Sequence, residues 1–117
     1  MLIVDDEISV ARSLERILRQ QHDVTVTASG AEALAAIAAV GCFDVIFCDL
    51  MMPQMSGMDL FDSVRRANPE QARRMVFLTG GAFSPRAKEF LESVENVRLL
   101  KPFAAEEVRS ITRDYVK

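Results

Sequence analysis

A chain of 117 residues, 50% hydrophobic and 26% charged, is long enough for one compact unit and too apolar to remain disordered. With 14 basic against 17 acidic residues the net charge is −3, and the pairs Arg65-Arg66 and Arg73-Arg74 make no basic stripe, so no nucleic-acid contact is expected. No apolar run approaches the ~18–20 residues of a membrane span, and Met1-Leu2-Ile3-Val4 is followed at once by Asp5-Asp6-Glu7; the expectation is a cytoplasmic chain without a basic leader or membrane contact.

Leu2 to Val4 is a short apolar run that ends in Asp5-Asp6-Glu7. Val10, Leu14, Ile17 and Leu18 then recur on one face of a helix. Residues 23–27 alternate polar and β-branched apolar side chains, a strand pattern. Ser29 with Glu32 forms a capping-box signature for a helix carrying Ala33, Leu34, Ile37 and Val40 on one side, which Gly41 closes. Residues 43–48 form the strongest strand, apolar enough to be covered on both faces. Leu60, Phe61 and Val64, after Gly57, mark a helix that stops near Asn68-Pro69. Residues 75–78 form a fourth strand. Ser84-Pro85 is an N-cap followed by proline at the first helical position, ahead of Ala87, Phe90, Leu91 and Val94. Residues 97–100 make a fifth strand, and Ala104, Val108, Ile111 and Tyr115 line a last helix.

The cysteines Cys42 and Cys48, if on one strand, lie about 20 Å apart at ~3.3 Å per residue, beyond the ~7 Å reach of a disulfide. Both are expected to be reduced and half-buried, and without histidine partners they make a poor zinc site. A strand-helix unit repeated five times implies a parallel α/β sheet with helices on both faces, and residues 1–117 are expected to form one domain. Ligands of such sheets lie beyond the carboxyl ends of the strands, near the switch in strand order.

Asp5, Asp6 and Asp49, the hydroxyl of Thr79 and the ammonium of Lys101 all fall at strand carboxyl ends. A single Asp there usually serves a turn, but the combination points to a site. Carboxylates ~5 Å apart at an effective dielectric of ~20 repel by roughly 3 kcal/mol per pair, so three pairs approach ~10 kcal/mol, comparable to a domain's stability. Lys101 offsets part of this. Hard oxygen ligands without His or Cys favour magnesium, or manganese in its place, for the remainder. Such a site suits phosphoryl transfer, with Asp49 as the nucleophile and Lys101 and Thr79 meeting the phosphoryl oxygens. With no second general base, it reads as a site for loading a phosphoryl group rather than for turning over metabolites.

The motifs Leu2-Ile3-Val4-Asp5-Asp6-Glu7, Phe43 to Pro53, Met55-Ser56-Gly57, Phe77-Leu78-Thr79-Gly80 and Lys101-Pro102-Phe103, in this order and spacing, resemble the receiver domain of two-component response regulators over essentially the whole chain. The resemblance implies a five-stranded flavodoxin-like fold with sheet order 2-1-3-4-5, and phosphorylation of Asp49 from a phosphohistidine of a sensor histidine kinase or phosphotransfer domain. It also implies metal ligation by Asp6, Asp49 and the backbone carbonyl of Met51, with Asp5 acting through water. Thr79 becomes the switch hydroxyl, Lys101 the phosphate-binding ammonium, and the Lys101-Pro102 bond is cis. Arg98 stands where most receivers carry Tyr or Phe, which places the usual aromatic switch in question; loop ordering and Arg98 contacts are the expected substitute. Gly80-Gly81 after Thr79 is expected to leave the following loop unusually free.

The stretches 80–85 and 97–103 look most like receivers appended to hybrid sensor kinases, and the abrupt ends suit a module of a longer polypeptide. A free-standing single-domain regulator and a degenerate receiver used only for docking are the alternatives. A haloacid-dehalogenase-type phosphatase needs an acid where Met51 stands. An FMN module needs amide or hydroxyl donors where Asp5-Asp6-Glu7 would repel phosphate. His22 reads as a surface loop residue at the opposite edge. Arg86, Lys88, Glu89, Arg98 and Glu106 form the expected output face, whose polarity suits transient association, a transient dimer included, while the oligomeric state stays open.

Overall fold

Side-chain alternation along the strands decides the architecture. In β1 (Leu2–Val4), Leu2 and Val4 pack into one apolar cluster and Ile3 into another, with all three fully buried. The same division separates Met75 and Phe77 from Val76 and Leu78 in β4 (Met75–Thr79), and Ile46 and Cys48 from Phe47 in β3 (Ile46–Asp49). Strands buried on both faces belong at the centre of a sheet covered by helices on each side. The computed structural model, which describes residues 1–81 and 84–116, shows a wholly parallel sheet of order β2-β1-β3-β4-β5, as expected. Its edges are β2 (Thr25–Thr27) and β5 (Arg98–Leu100).

The helices are α1 (Ile8–Leu18), α2 (Gly30–Val40), α3 (Gly57–Ala67), α4 (Pro69–Arg73), α5 (Pro85–Ser93) and α6 (Ala105–Tyr115). Ala11, Leu14 and Leu18 of α1 and Val108 of α6 cover one sheet face. Ala33 of α2, Leu60, Phe61 and Val64 of α3, and Ala87 and Leu91 of α5 cover the other. There Phe61, Phe77 and Phe90 meet edge to face, with centroids 5.2–5.8 Å apart, a favoured aromatic geometry.

Ser29 and Ser84 cap their helices as expected, whereas Glu32 takes the amide one residue ahead of Ser29 and so leaves the expected capping box unclosed. Ser29 Oγ accepts from the Glu32 N–H at 3.2 Å, Glu32 Oε1 accepts from the Ala28 N–H at 3.3 Å, and Ser84 Oγ accepts from the Ala87 N–H at 3.1 Å.

Several expectations need correction. Asn68-Pro69 does end α3, but it also opens α4, a fourth helix ahead of β4 that the alternation reading omitted. Asn68 Oδ1 accepts from the Gln71 N–H at 3.2 Å, and Pro69 supplies the first turn, where its missing N–H costs nothing. The third strand starts at Ile46 rather than Phe43, because Gln71 takes both backbone groups of Phe43: its Oε1 accepts from the N–H at 2.6 Å and its Nε2 donates to the carbonyl at 3.0 Å. Cys42 is therefore off the strand and exposed, while Cys48 is fully buried, so neither is half-buried. At the sheet edge Val26 is 40% exposed and Thr27 buried, its hydroxyl donating to the Ile3 carbonyl at 2.9 Å. Val40, expected on the buried side of α2, is 58% exposed at that helix's end.

The chain leaves β1 toward β2 on one side and returns to β3 on the other. The carboxyl ends of β1 and β3 therefore flank the switch in strand order, and Asp5 and Asp49 stand there.

Candidate functional site

Asp49 is the last residue of β3, Thr79 the last of β4, and Asp5 and Lys101 directly follow β1 and β5. Parallel pairing aligns these ends: Val4 pairs with Cys48, Asp49 with Leu78, and Thr79 with Leu100. One carboxylate oxygen each from Asp5, Asp6 and Asp49 lies within 4.8 Å of the others, with Asp5 and Asp49 buried and Asp6 exposed. Lys101 Nζ stands 3.2 Å from Asp5 Oδ2 and 3.4 Å from Asp49 Oδ1. All five expected side chains thus occupy one end of the sheet, and the Lys101-Pro102 bond is cis.

The loops after β1 and β3 are fixed by their own acids. Asp5 Oδ1 accepts from the Glu7 N–H at 2.9 Å, and Asp49 Oδ1 accepts from the Met51 N–H at 3.4 Å. The Met51 side chain points outward, 53% exposed. The N-terminus of α3 abuts the Asp49 backbone, with the Gly57 N–H donating to the Leu50 carbonyl at 2.9 Å. A Cβ at Gly57 would stand 2.5 Å from the Asp49 carbonyl oxygen, so only glycine allows this approach. Ser56 and Asp59 form a capping box on α3, and Arg86 reaches across from α5 to Asp59 at 3.0 Å. The Ser56 N–H and that guanidinium hold the Asp59 carboxyl below the usual range.

The electrostatics are those of a crowded carboxylate site. Burial, reinforced by the negative charge of Asp5, pushes the Asp49 carboxyl up to about 7, against the opposing pull of Lys101 and the Met51 N–H. Burial alone would lower Lys101, but the carboxylates of Asp49 and Asp5 outweigh it and hold the ammonium above its ordinary range. Asp5 Oδ2 faces Lys101 without the alignment of a hydrogen bond, and both it and the buried Thr79 Oγ1 lack hydrogen-bond partners among the described residues. A buried polar atom left unpaired is costly, which marks the Thr79 hydroxyl as ready for a partner from outside, while Asp5 Oδ2 is held by the Lys101 ammonium. Three oxygen donors, two of them buried, fit a hard divalent cation.

Sequence reasoning overlooked one member of this site. The Glu7 carboxylate lies 3.7 Å from Lys101 Nζ, and only its place beside Asp5 and Asp6 hinted at it. Arg98 is exposed on β5, its Nη2 donating to the Leu91 carbonyl in α5 at 3.0 Å, so no ring or charge is buried there. Gly81 takes φ +89°, the left-handed region that favours glycine. Of the loop it opens, Ala82 and Phe83 lie outside the described residues, as does that part of the expectation for residues 80–85. Arg86, Lys88, Glu89, Arg98 and Glu106 are all exposed, and His22 is half-buried beyond the end of α1.

The family model of the response regulator receiver domain matches residues 1–113. The transcriptional regulatory protein BtsR of Salmonella typhi is 38% identical over 104 residues, which cover 87% of this chain and 41% of that protein. The uncharacterized transcriptional regulatory protein YkoG of Bacillus subtilis is 31% identical, covering 92% and 46%. The chain spans less than half the length of these curated relatives. Among solved structures, the chemotaxis protein CheY4 of Vibrio cholerae superposes with a TM-score of 0.81 at 31% identity, over 98% of this chain and 96% of that one. The receiver domain of NtrX from Brucella abortus gives a TM-score of 0.85 at 23% identity, over 97% and 95%, a likeness of fold alone.

Proposed function

The chain belongs to the response regulator receiver domain family, and from that premise we propose that it is a phosphoacceptor whose Asp49 receives a phosphoryl group from a phosphohistidine of a sensor histidine kinase or histidine phosphotransfer domain. An Asp49 carboxylate oxygen forms the new bond to phosphorus as the P–N bond breaks, and the departing imidazole keeps the electron pair and takes up a proton. Lys101, already 3.4 Å from Asp49, meets the developing charge on the phosphoryl oxygens. The unpartnered Thr79 hydroxyl donates to one of them. Asp6, Asp49 and the Met51 carbonyl would hold magnesium or manganese, with Asp5 acting through water. The bound ion would offset the carboxylate repulsion and draw in the phosphoryl oxygens.

The observation that carries this reading is the meeting, within 4.8 Å, of carboxylate oxygens from two strand ends beside the Lys101 ammonium. Incubation with a small phosphodonor and magnesium, followed by intact mass measurement, tests it. One alkali-labile phosphoryl adduct is expected on the parent protein and none on Asp49→Ala. An adduct that survives this substitution, or forms without a divalent ion, defeats the reading.

Residues 1–117 act in this proposal as one cytoplasmic receiver unit in transient contact with its phosphodonor. Its parent polypeptide is read as a hybrid histidine kinase. A second reading, a receiver joined to a transcriptional output domain, is favoured by BtsR and YkoG, which bear the name of transcriptional regulators and extend well beyond the matched region.

A further inference from the structure

We propose that Glu7 is a positioning residue: its carboxylate holds the Lys101 ammonium at the solvent side of the site and thereby slows phosphoryl loading of Asp49, an assignment that rests on the phosphoacceptor reading above. The ammonium lies among three carboxylates, with Asp5 at 3.2 Å, Asp49 at 3.4 Å and Glu7 at 3.7 Å. The Asp5 and Asp49 side chains are 0% and 9% exposed, whereas that of Glu7 is 64% exposed, so Glu7 is the outermost of the three.

Glu7 also occupies the N-cap position of α1, where Ser, Thr, Asp or Asn would normally accept from the first-turn amides. Its side chain makes no such bond and turns to Lys101 instead. A local rule set aside in favour of a contact with a site residue is the pattern expected of a functional position. An incoming phosphoryl group has to take Lys101 over from Glu7, whose carboxylate competes with it for the ammonium. Removing the charge therefore speeds loading.

Phosphoramidate is a suitable probe, because its P–N bond breaks as the Asp49 O–P bond forms, and ammonia leaves. Adduct formation with magnesium present, followed by intact mass, should run about two- to fivefold faster in Glu7→Gln at low salt, the scale of a partly exposed ion pair. The difference should shrink toward unity at ~0.5 M salt, where exposed charges are screened within a few ångströms. In a Lys101→Met background Glu7→Gln should change nothing, since the effect passes through the ammonium. A Glu7→Gln rate equal to the parent's at low salt overturns the assignment. So does an equal acceleration in the Lys101→Met background, which would mean direct repulsion of the donor. Absence of any adduct on the parent protein is the separate result that removes the phosphoacceptor reading, and this assignment with it.

Discussion

The two ends of the sheet treat polar groups in opposite ways. At the amino end no buried side-chain polar atom among the described residues lacks a partner: Gln71 holds both backbone groups of Phe43, Asn96 Nδ2 donates to the Ala72 and Met75 carbonyls at 2.8 Å each, and the Met1 ammonium donates to the Asp23 carbonyl at 2.7 Å. At the carboxyl end three carboxylates crowd together, and among the described residues Asp5 Oδ2 and Thr79 Oγ1 go without hydrogen-bond partners. The first end adds to stability, and the second withholds pairing until a ligand supplies it.

The largest expected effect lies at the satisfied end. Gln71→Leu leaves the N–H and carbonyl of Phe43 buried without partners, at about 1–3 kcal/mol for each such group. A loss of about 2–4 kcal/mol in urea unfolding is expected, with response to magnesium intact. A loss below ~1 kcal/mol would mean that water or a backbone shift replaces the amide, and the contrast between the two ends would weaken.

At the crowded end the sign reverses. Magnesium should stabilise the folded protein, by about 2.7 kcal/mol at a hundredfold excess over its dissociation constant. Asp5→Asn should raise the stability of the ion-free protein by roughly 1 kcal/mol, since it removes one repelling charge, while it weakens the response to magnesium. A destabilised Asp5→Asn protein would show that the hydrogen bond from the Glu7 N–H and the Lys101 contact outweigh the repulsion.

Acid should favour the ion-free fold through Asp49. Its carboxyl titrates at about 7 in the folded protein, against ~3.9 for an unfolded Asp. Between these values the folded state holds a proton that the unfolded state has lost, so this group's contribution to stability falls as pH rises from about 4 to 7 and is level above. Urea midpoints measured in a chelator across that window should show a decline that Asp49→Asn removes. An identical slope in both proteins would assign the decline to other groups.

Much of this contrast was legible in the chain. The apolar stretches at residues 2–4, 43–48 and 75–78 required a sheet covered on both faces, and parallel strands aligned Asp5, Asp49, Thr79 and Lys101 at one end with no long-range guess. What escaped notice depended on single side chains acting across distance. Gln71 gave no sign that it would take both backbone groups of Phe43, 28 residues away, and so delay β3. Asn68-Pro69 is both a stop and a start signal, and only the stop was read. Glu7 looked like the tail of an acidic run, because reach toward Lys101 depends on a rotamer rather than on spacing.

The smallest effect concerns Arg98, on the edge of the sheet between the two ends. Its guanidinium donates to the Leu91 carbonyl near the C-terminus of α5, where helix carbonyls lack intrahelical partners and a positive charge is favoured. The N-terminus of α5 lies at the far side of the loop that follows Thr79 and Gly81. Arg98 therefore ties one end of α5 to β5 while the other end follows that loop, a coupling that needs no aromatic ring. Arg98→Ala should cost about 0.5–1 kcal/mol of stability, the scale of one charge-assisted bond at a partly exposed helix end. It should also reduce the phosphorylation-dependent amide-exchange protection of the loop after Thr79, measured with a phosphoryl mimic bound at Asp49. If that protection is unchanged in Arg98→Ala, Arg98 only caps α5, and the signal from Asp49 leaves the site by another route.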